Sequence, residues 1–237
     1  MPDGHDQHGS SQPARGAGGR VAVLPTPEEI AAEWRRRAGL DGLARVMRVS
    51  QPASLAAAVT EETRRVVADH LQAVAGRLAR PVRSALEVGC GIGRITPTIA
   101  AHAGYVLALD PVTEMLRAAT RACAGLPNVE FHRHTAQRLP HWPARFDVAV
   151  CVWVLMHILD EEEVRVACRR VAGSARHLVL VEYEHADVPV GAFSRLRSLE
   201  DYLAMLPGAR LLGRQDLYYG GDRSFAALIA LDPEAGR

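Results

Sequence analysis

The chain has 237 residues, 48% of them hydrophobic and 23% charged, enough for one sizeable domain with its own core. Its 28 basic residues, all arginine, stand against 27 acidic ones for a net charge of +1, so a nucleic-acid surface, which needs a basic excess, is not expected. No apolar run approaches the roughly 20 residues that span a bilayer. The N-terminus shows no signal-peptide core, and Cys90, Cys123, Cys151 and Cys168 form no C-x-x-C, which reads as a cytoplasmic protein with reduced thiols and no membrane partner.

Residues 1–20 are polar and rich in Gly, Ser and Gln; they lack the apolar side chains that offset ordering entropy and are expected to form a disordered tail. A helical cap is expected over 21–81. Thr26, Pro27 and the acids behind them start its first helix, and Gly39 ends it. A short helix is expected over 43–49. A longer one is expected from a cap at Thr60, with Val66, Val67, Leu71, Val74 and Leu78 as its apolar stripe and Pro81 closing it.

Strand and helix signals then alternate through a core domain over 82–237. Strands are expected at 82–88, 105–110, 129–132, 146–153 and 177–182. Helices fall at 93–102, 111–124, from an Asp160 cap to about 171, and 198–206. Strands at 210–218 and 224–231 close on a turn at Gly220 and Gly221. This alternation predicts an α/β fold with a mostly parallel sheet and one antiparallel strand from the closing hairpin. Ligands of such sheets bind beyond the carboxyl ends of the strands. The glycine turn, Asp110, Trp153 and Glu182 all fall at such ends.

The stretch "LEVGCGIGR" places Gly89, Gly91 and Gly93 between a strand and a helix, with Glu87 just before them. The spacing is G-x-G-x-G and not the G-x-G-x-x-G of dinucleotide sites, and a chain without lysine has no phosphate-loop lysine. A carboxylate at Glu87 repels phosphate and attracts a cation. An acid at Asp110, ending strand two, is suited to accept hydrogen bonds from ribose hydroxyls. The "DEEE" run from Asp160 to Glu163 reads as a helix start that complements the helix dipole. His132 and His134 have an H-x-H spacing without a third ligand nearby, so no metal is expected.

These residues, with "ALDPVTEML" and "FDVAVCVWVLMHI", resemble motif I and its partners in the class I S-adenosylmethionine-dependent methyltransferases, over about 82–231 in element order. The resemblance implies a Rossmann-like sheet of seven strands and S-adenosyl-L-methionine as cofactor. It implies that Glu87, Gly89, Cys90, Gly91, Gly93, Arg94, Asp110, Pro111, Val112, Ala136, Gln137 and Val152 line the cofactor site. Glu87 would lie near the amino and sulfonium groups, Asp110 at the ribose and Val112 at the adenine. One departure is "HTAQRLP", where Thr135 stands in place of the family's frequent acid; contact to the adenine amino group then passes to Gln137 or a backbone carbonyl.

Methyl transfer is an in-line displacement that needs an aligned nucleophile and the removal of a proton. Trp153 and His157 are four apart and share a face if that segment is helical. His157 is the candidate base or pocket-lining group, with Glu182 or Glu184 able to bind an amine or support it. Trp34, Trp153 and Tyr183 are candidate acceptor contacts, Trp34 through a lid formed by the helices before strand one. The resemblance points to N- or O-methylation of a small molecule, such as a bacterial specialised metabolite. Two alternatives stand beside it. One is a peptide or protein α-N-terminal methyltransferase, similar in "GIGRIT" and the Trp-x-x-x-His spacing but with "EYEH" where that family has Asp-Asn. The other is a non-catalytic cofactor-binding partner subunit, against which the intact glycine loop, Asp110 and His157 argue. Monomer and homodimer both remain open.

Overall fold

The computed structural model describes residues 24–48, 52–186, 191–219 and 221–232; the expected tail, 1–20, lies outside them. Seven strands, β1 (Val82–Val88), β2 (Ala103–Leu109), β3 (Val129–His132), β4 (Val148–Val152), β5 (His177–His185), β6 (Ala209–Tyr219) and β7 (Asp222–Leu231), form one sheet. Its order is β3-β2-β1-β4-β5-β7-β6. The five strands from β3 to β5 pair in parallel, and β7 enters antiparallel between β5 and β6. This is the Rossmann-like architecture expected from the alternation, with the closing hairpin supplying the single reversed strand.

Strands β1, β2, β4, β5 and β7 are largely buried on both faces, as a sheet covered by helices on both sides requires, while the edge strands β3 and β6 are partly exposed. Ala85, Val106, Val150 and Val179 face the stripe Val66, Val67, Leu71 and Val74 of α2 (Ala53–Leu78). Their neighbours Leu86, Leu107, Ala149 and Leu178 face Val164, Cys168 and Val171 of α5 (Glu161–Ser174, with α1 as Pro27–Ala38, α3 as Thr96–His102 and α4 as Thr113–Ala122), and Tyr202 of α6 (Leu199–Met205). Alternate residues of one strand thus feed two cores. All four cysteines are buried and free. Among the described residues no helix is long and apolar enough to cross a membrane.

Helix starts follow side-chain chemistry. Thr26 Oγ1 accepts the Glu29 N–H while the Glu29 carboxylate accepts the Thr26 N–H, a reciprocal capping box on α1. Asp160 accepts the N–H groups of Glu162 and Glu163, and the three acids behind it fill the first turn of α5. The expected cap at Thr60 is wrong. That residue is buried inside α2, and its hydroxyl donates back to the Ala56 carbonyl at 2.8 Å. The apolar stripe runs on through Val59 and Ala56, so burial carries the helix back to Ala53. The segment expected as a helical cap therefore divides: α2 belongs to the sheet's core, Leu43 of the 3-10 turn Gly42–Arg45 packs against that core, and α1 has no buried residue. The expected helix at 43–49 is that shorter turn, and residue 49 lies outside the described residues.

The chain runs outward from β1 through β2 to β3, then crosses back to place β4 on the other side of β1. The order reverses between β1 and β4, which leaves a crevice at their carboxyl ends.

Candidate active site

A cleft of about 780 Å³ opens at that crevice, within the roughly 300–1,000 Å³ typical of small-molecule sites. Its floor is the glycine turn. The N–H groups of Gly89 and Cys90 both donate to the Leu109 carbonyl, at 2.7 and 2.8 Å, which ties the turn to the end of β2. Gly89 (φ 74°) and Gly91 (φ 54°) adopt left-handed backbone, where a side chain is strained. A Cβ on Gly89 would lie 2.4 Å from Val154 Cγ2, and one on Gly91 2.9 Å from Val46 Cγ1. Gly93 has a different role from the one expected. It does not line the cleft; a Cβ there would meet Cys123 Sγ at 3.1 Å and Ala119 Cα at 3.2 Å, so this glycine lets the turn pack on α4.

Two buried acids face this floor. Asp110 Oδ2 accepts the Gly91 N–H and Oδ1 the Val112 N–H, both at 2.9 Å. Each carboxylate oxygen keeps a second lone pair for a ligand donor. Glu87 Oε2 accepts the Thr96 hydroxyl at 2.6 Å. Burial, which penalises the charged form, pushes Glu87 up to about 7 and Asp110 up to about 6. Arg94 is also buried, its guanidinium 4.6 Å from the Trp153 ring. Burial pushes it down to about 10, so it stays cationic at neutral pH. Arg94 Nη1 and Trp153 Nε1 are buried donors without a hydrogen-bond partner among the described residues.

Cys90, Pro111, Val112, Ala136, Gln137 and Val152 line the cleft. Thr135 leads into the 3-10 turn Ala136–Arg138 at this wall. His134 lines the same wall, while His132 lies 3.5 Å from Glu130. Arg133, Arg138 and Glu114 complete that end and were not singled out from sequence.

The other end is apolar. Trp34 and Ile30 of α1 with Val46, Val154, Ile158 and Leu159 enclose His157. Trp34 meets the His157 ring edge-on at 4.7 Å, so α1 closes over the cleft as the expected lid. Arg37 lies 4.9 Å from the Trp34 ring and donates to the carbonyls of Ala44 and Met47. The arginine run at 35–37 gave no sequence signal for that contact. His157 Nδ1 sits 2.9 Å from the Phe193 carbonyl, an acceptor only, so it carries the proton and leaves Nε2 as an acceptor. Burial pushes His157 down to about 4, and at neutral pH the ring is uncharged.

Three expectations at this end fail. Trp153 and His157 do not share a helical face. Trp153 has φ 55°, and only Leu155–His157 form a 3-10 turn. Trp153 instead stacks on Tyr183 at 5.2 Å. Tyr183 therefore backs the Trp153 ring and does not line the cleft. Glu182 is fully buried and points under β4, where its Oε1 accepts the N–H groups of Val154 and Leu155 at 2.9 and 2.7 Å. Glu184 is held by Arg214 at 2.8 Å and Arg223 at 3.3 Å, away from the cleft. Neither acid can touch an acceptor beside His157. Strand position alone placed them at the right edge; side-chain direction, set by register, sends them elsewhere.

Comparison with known proteins agrees with this geometry. Residues 85–177 match the family model of a methyltransferase domain. The ubiquinone biosynthesis O-methyltransferase of Methylococcus capsulatus is 32% identical over 151 residues, 62% of this chain and 57% of that protein. The chain thus spans somewhat over half the length of that curated relative. Among solved structures, the N-methyltransferase NodS of Bradyrhizobium japonicum, in complex with S-adenosyl-l-homocysteine, superposes with a TM-score of 0.65 at 15% identity, covering 86% of this chain and 99% of that one. The magnesium protoporphyrin IX methyltransferase of Synechocystis, with bound SAM, gives 0.62 at 17% identity over 85% and 91%. Such identities show a shared fold. Residues 85–177 thus match a methyltransferase domain, set on the Rossmann-like fold of these structures.

Proposed function

We propose that the protein transfers a methyl group from S-adenosyl-L-methionine to the hydroxyl of an uncharged, largely apolar small molecule, with a phenolic metabolite as the favoured class. The observation that carries the cofactor assignment is the buried, cationic Arg94, its Nη1 without a partner among the described residues, on the lining of a cleft that also holds the buried acids Glu87 and Asp110. A buried donor of this kind calls for an acceptor from the ligand. The cofactor's carboxylate supplies that acceptor, its ammonium and sulfonium suit Glu87, and its ribose hydroxyls suit the free lone pairs of Asp110. When bound, the cofactor supplies an electrophilic methyl group.

The chain's own residues account for the rest. Trp34, Ile30, Val46, Val154 and Ile158 exclude water from the acceptor end. His157 Nε2 accepts a hydrogen bond from the acceptor hydroxyl and orients its oxygen. A ring whose conjugate acid titrates at about 4 is a weak base. An acceptor hydroxyl that is itself acidic, as a phenol is, suits such a partner better than an aliphatic alcohol. An ammonium acceptor has no buried carboxylate here, because Glu28, Asp160 and Glu163 on the lining are exposed at its rim. This weighs against the peptide α-amine alternative. The O-methyltransferase name of the curated relative supports the same choice.

The test uses S-adenosylmethionine carrying a labelled methyl group with two probes, an alkyl-substituted catechol and a peptide with a free α-amine. Label should appear on the catechol and fall at least tenfold in His157→Ala. Label on the peptide alone would overturn the proposal, as would none on either probe when the cofactor binds.

A further inference from the structure

The turn that carries Trp153 and His157 is held at both ends by buried charge. Trp153 still behaves as strand at its own amide, which donates to the Val181 carbonyl at 2.8 Å. It then takes a left-handed conformation, φ 55°, that a bulky residue adopts only when its surroundings impose it. The next two amides, Val154 and Leu155, open the 3-10 turn and would lack acceptors. The Glu182 Oε1 atom takes both. At the far end the Arg197 guanidinium donates to the Ile158 carbonyl at 2.9 Å, with weaker contacts to Leu155 and Leu159 at 3.4 Å. Glu182 is wholly buried and Arg197 is 5% exposed. Anion at the N–H end and cation at the C=O end match the dipole of the turn.

We infer that Glu182 and Arg197 are positioning residues that act through this turn to set the Trp153 ring under Arg94 and the His157 ring against Trp34. The inference deepens the methyltransferase reading and rests on it for its meaning, though not for its test. A plain scaffold has no need of an ionised group here. A buried carboxylate is costly, and burial pushes Glu182 up to about 7 against the pull of the Leu155 and Val154 amides. The other groups that bear on it are Arg197, which favours its charge, and Cys151 of β4, Cys168 of α5 and Tyr202 of α6, all held above their ordinary values by burial. Glu182 is therefore the group in this cluster that titrates near neutrality, and its protonation weakens the grip on the two amides.

Nuclear magnetic resonance tests this on the full chain without any acceptor. The Val154 and Leu155 amide signals should titrate together between pH 5.5 and 8.5, and the titration should vanish in Glu182→Gln, whose amide oxygen still accepts. Hydrogen exchange at both amides should rise at least tenfold in Glu182→Ala. The Trp153 indole signal should move in Glu182→Gln and in Arg197→Lys, and affinity for S-adenosylhomocysteine, the probe for the cofactor half, should fall severalfold at nearly unchanged thermal stability. Unchanged Val154, Leu155 and Trp153 signals in Glu182→Gln would overturn the inference. So would equal loss of probe affinity and thermal stability in both conservative variants, the mark of a merely structural role. If neither form binds S-adenosylhomocysteine while the amides behave as stated, the cofactor reading fails and the clamp stands.

Discussion

Gly89→Ala is the sharpest single perturbation of the site. Alanine at φ 74° costs about 1–2 kcal/mol in the left-handed region. Its Cβ would sit 2.4 Å from Val154 Cγ2, where carbon atoms prefer about 3.5–4.0 Å. Val154 has little room to retreat, since its amide is bound to Glu182 at 2.9 Å. Overpacking of this kind costs about 1–3 kcal/mol. The stiffer unfolded chain returns about 0.4–1 kcal/mol. The net expectation is a loss of about 1–5 kcal/mol, by summing these terms. Gly76→Ala is the control. It lies inside α2 with nothing within 4 Å of a new Cβ, so it should stabilise by about 0.5–1 kcal/mol. Urea denaturation read by circular dichroism measures both. A Gly89→Ala protein within about 0.5 kcal/mol of wild type, the usual range for neutral surface changes, would refute the close approach on which the site is built.

Cofactor affinity should depend on pH. Burial raises Glu87 to about 7, and a bound cation favours its charged form, so calorimetric affinity should fall by up to about tenfold per unit below that value. Glu87→Gln should flatten the dependence. The same raised acids give a stability term of definite sign: with folded values above unfolded ones near 4, the ligand-free protein loses this stability as pH rises towards 7. Asp147 behaves oppositely. Two bonds from Arg80 at 2.7 and 2.8 Å hold it below the usual carboxylate range, so its stabilisation is present above its unfolded value and lost as pH falls through the folded one. Asp147→Asn should cost about 1–3 kcal/mol at pH 7 and less at pH 3, measured by thermal melts. Finally, α1 contains no buried residue whereas α2 buries eight, so amide exchange should be faster in α1 than in the middle of α2.

The fold was legible because two kinds of local signal agree with it. The bounds of β1 follow from an apolar run and those of β3 from an apolar–polar alternation between turn residues, and Thr26, Asp160 and Ser198 all cap the helices expected after them. The start of α2 was hidden because a threonine that bonds back to its own helix looks like a cap in sequence. Glu87, Gly89, Gly91 and Asp110 could be placed at the cleft from sequence because glycines and strand-end acids are fixed by backbone. Of the residues expected at the other end, Trp34, Trp153 and His157 line the cleft, while Tyr183, Glu182 and Glu184 do not. Glu182 and Glu184 depend on strand register, and the spacing of Trp153 and His157 assumed a helix that the left-handed Trp153 interrupts. Val46 and Ile158 reach the cleft only through the packing of the lid, which no local pattern announces.

The central claim is that the glycine turn, Glu87, Arg94 and Asp110 form an S-adenosylmethionine site. Calorimetric titration of the purified chain with S-adenosylmethionine, beside the Asp110→Asn variant and an NAD challenge, tests it most directly. The account predicts micromolar binding of S-adenosylmethionine, weakened at least tenfold by the substitution and not matched by NAD. Equal or tighter binding of NAD, or S-adenosylmethionine binding that Asp110→Asn leaves unchanged, would contradict it.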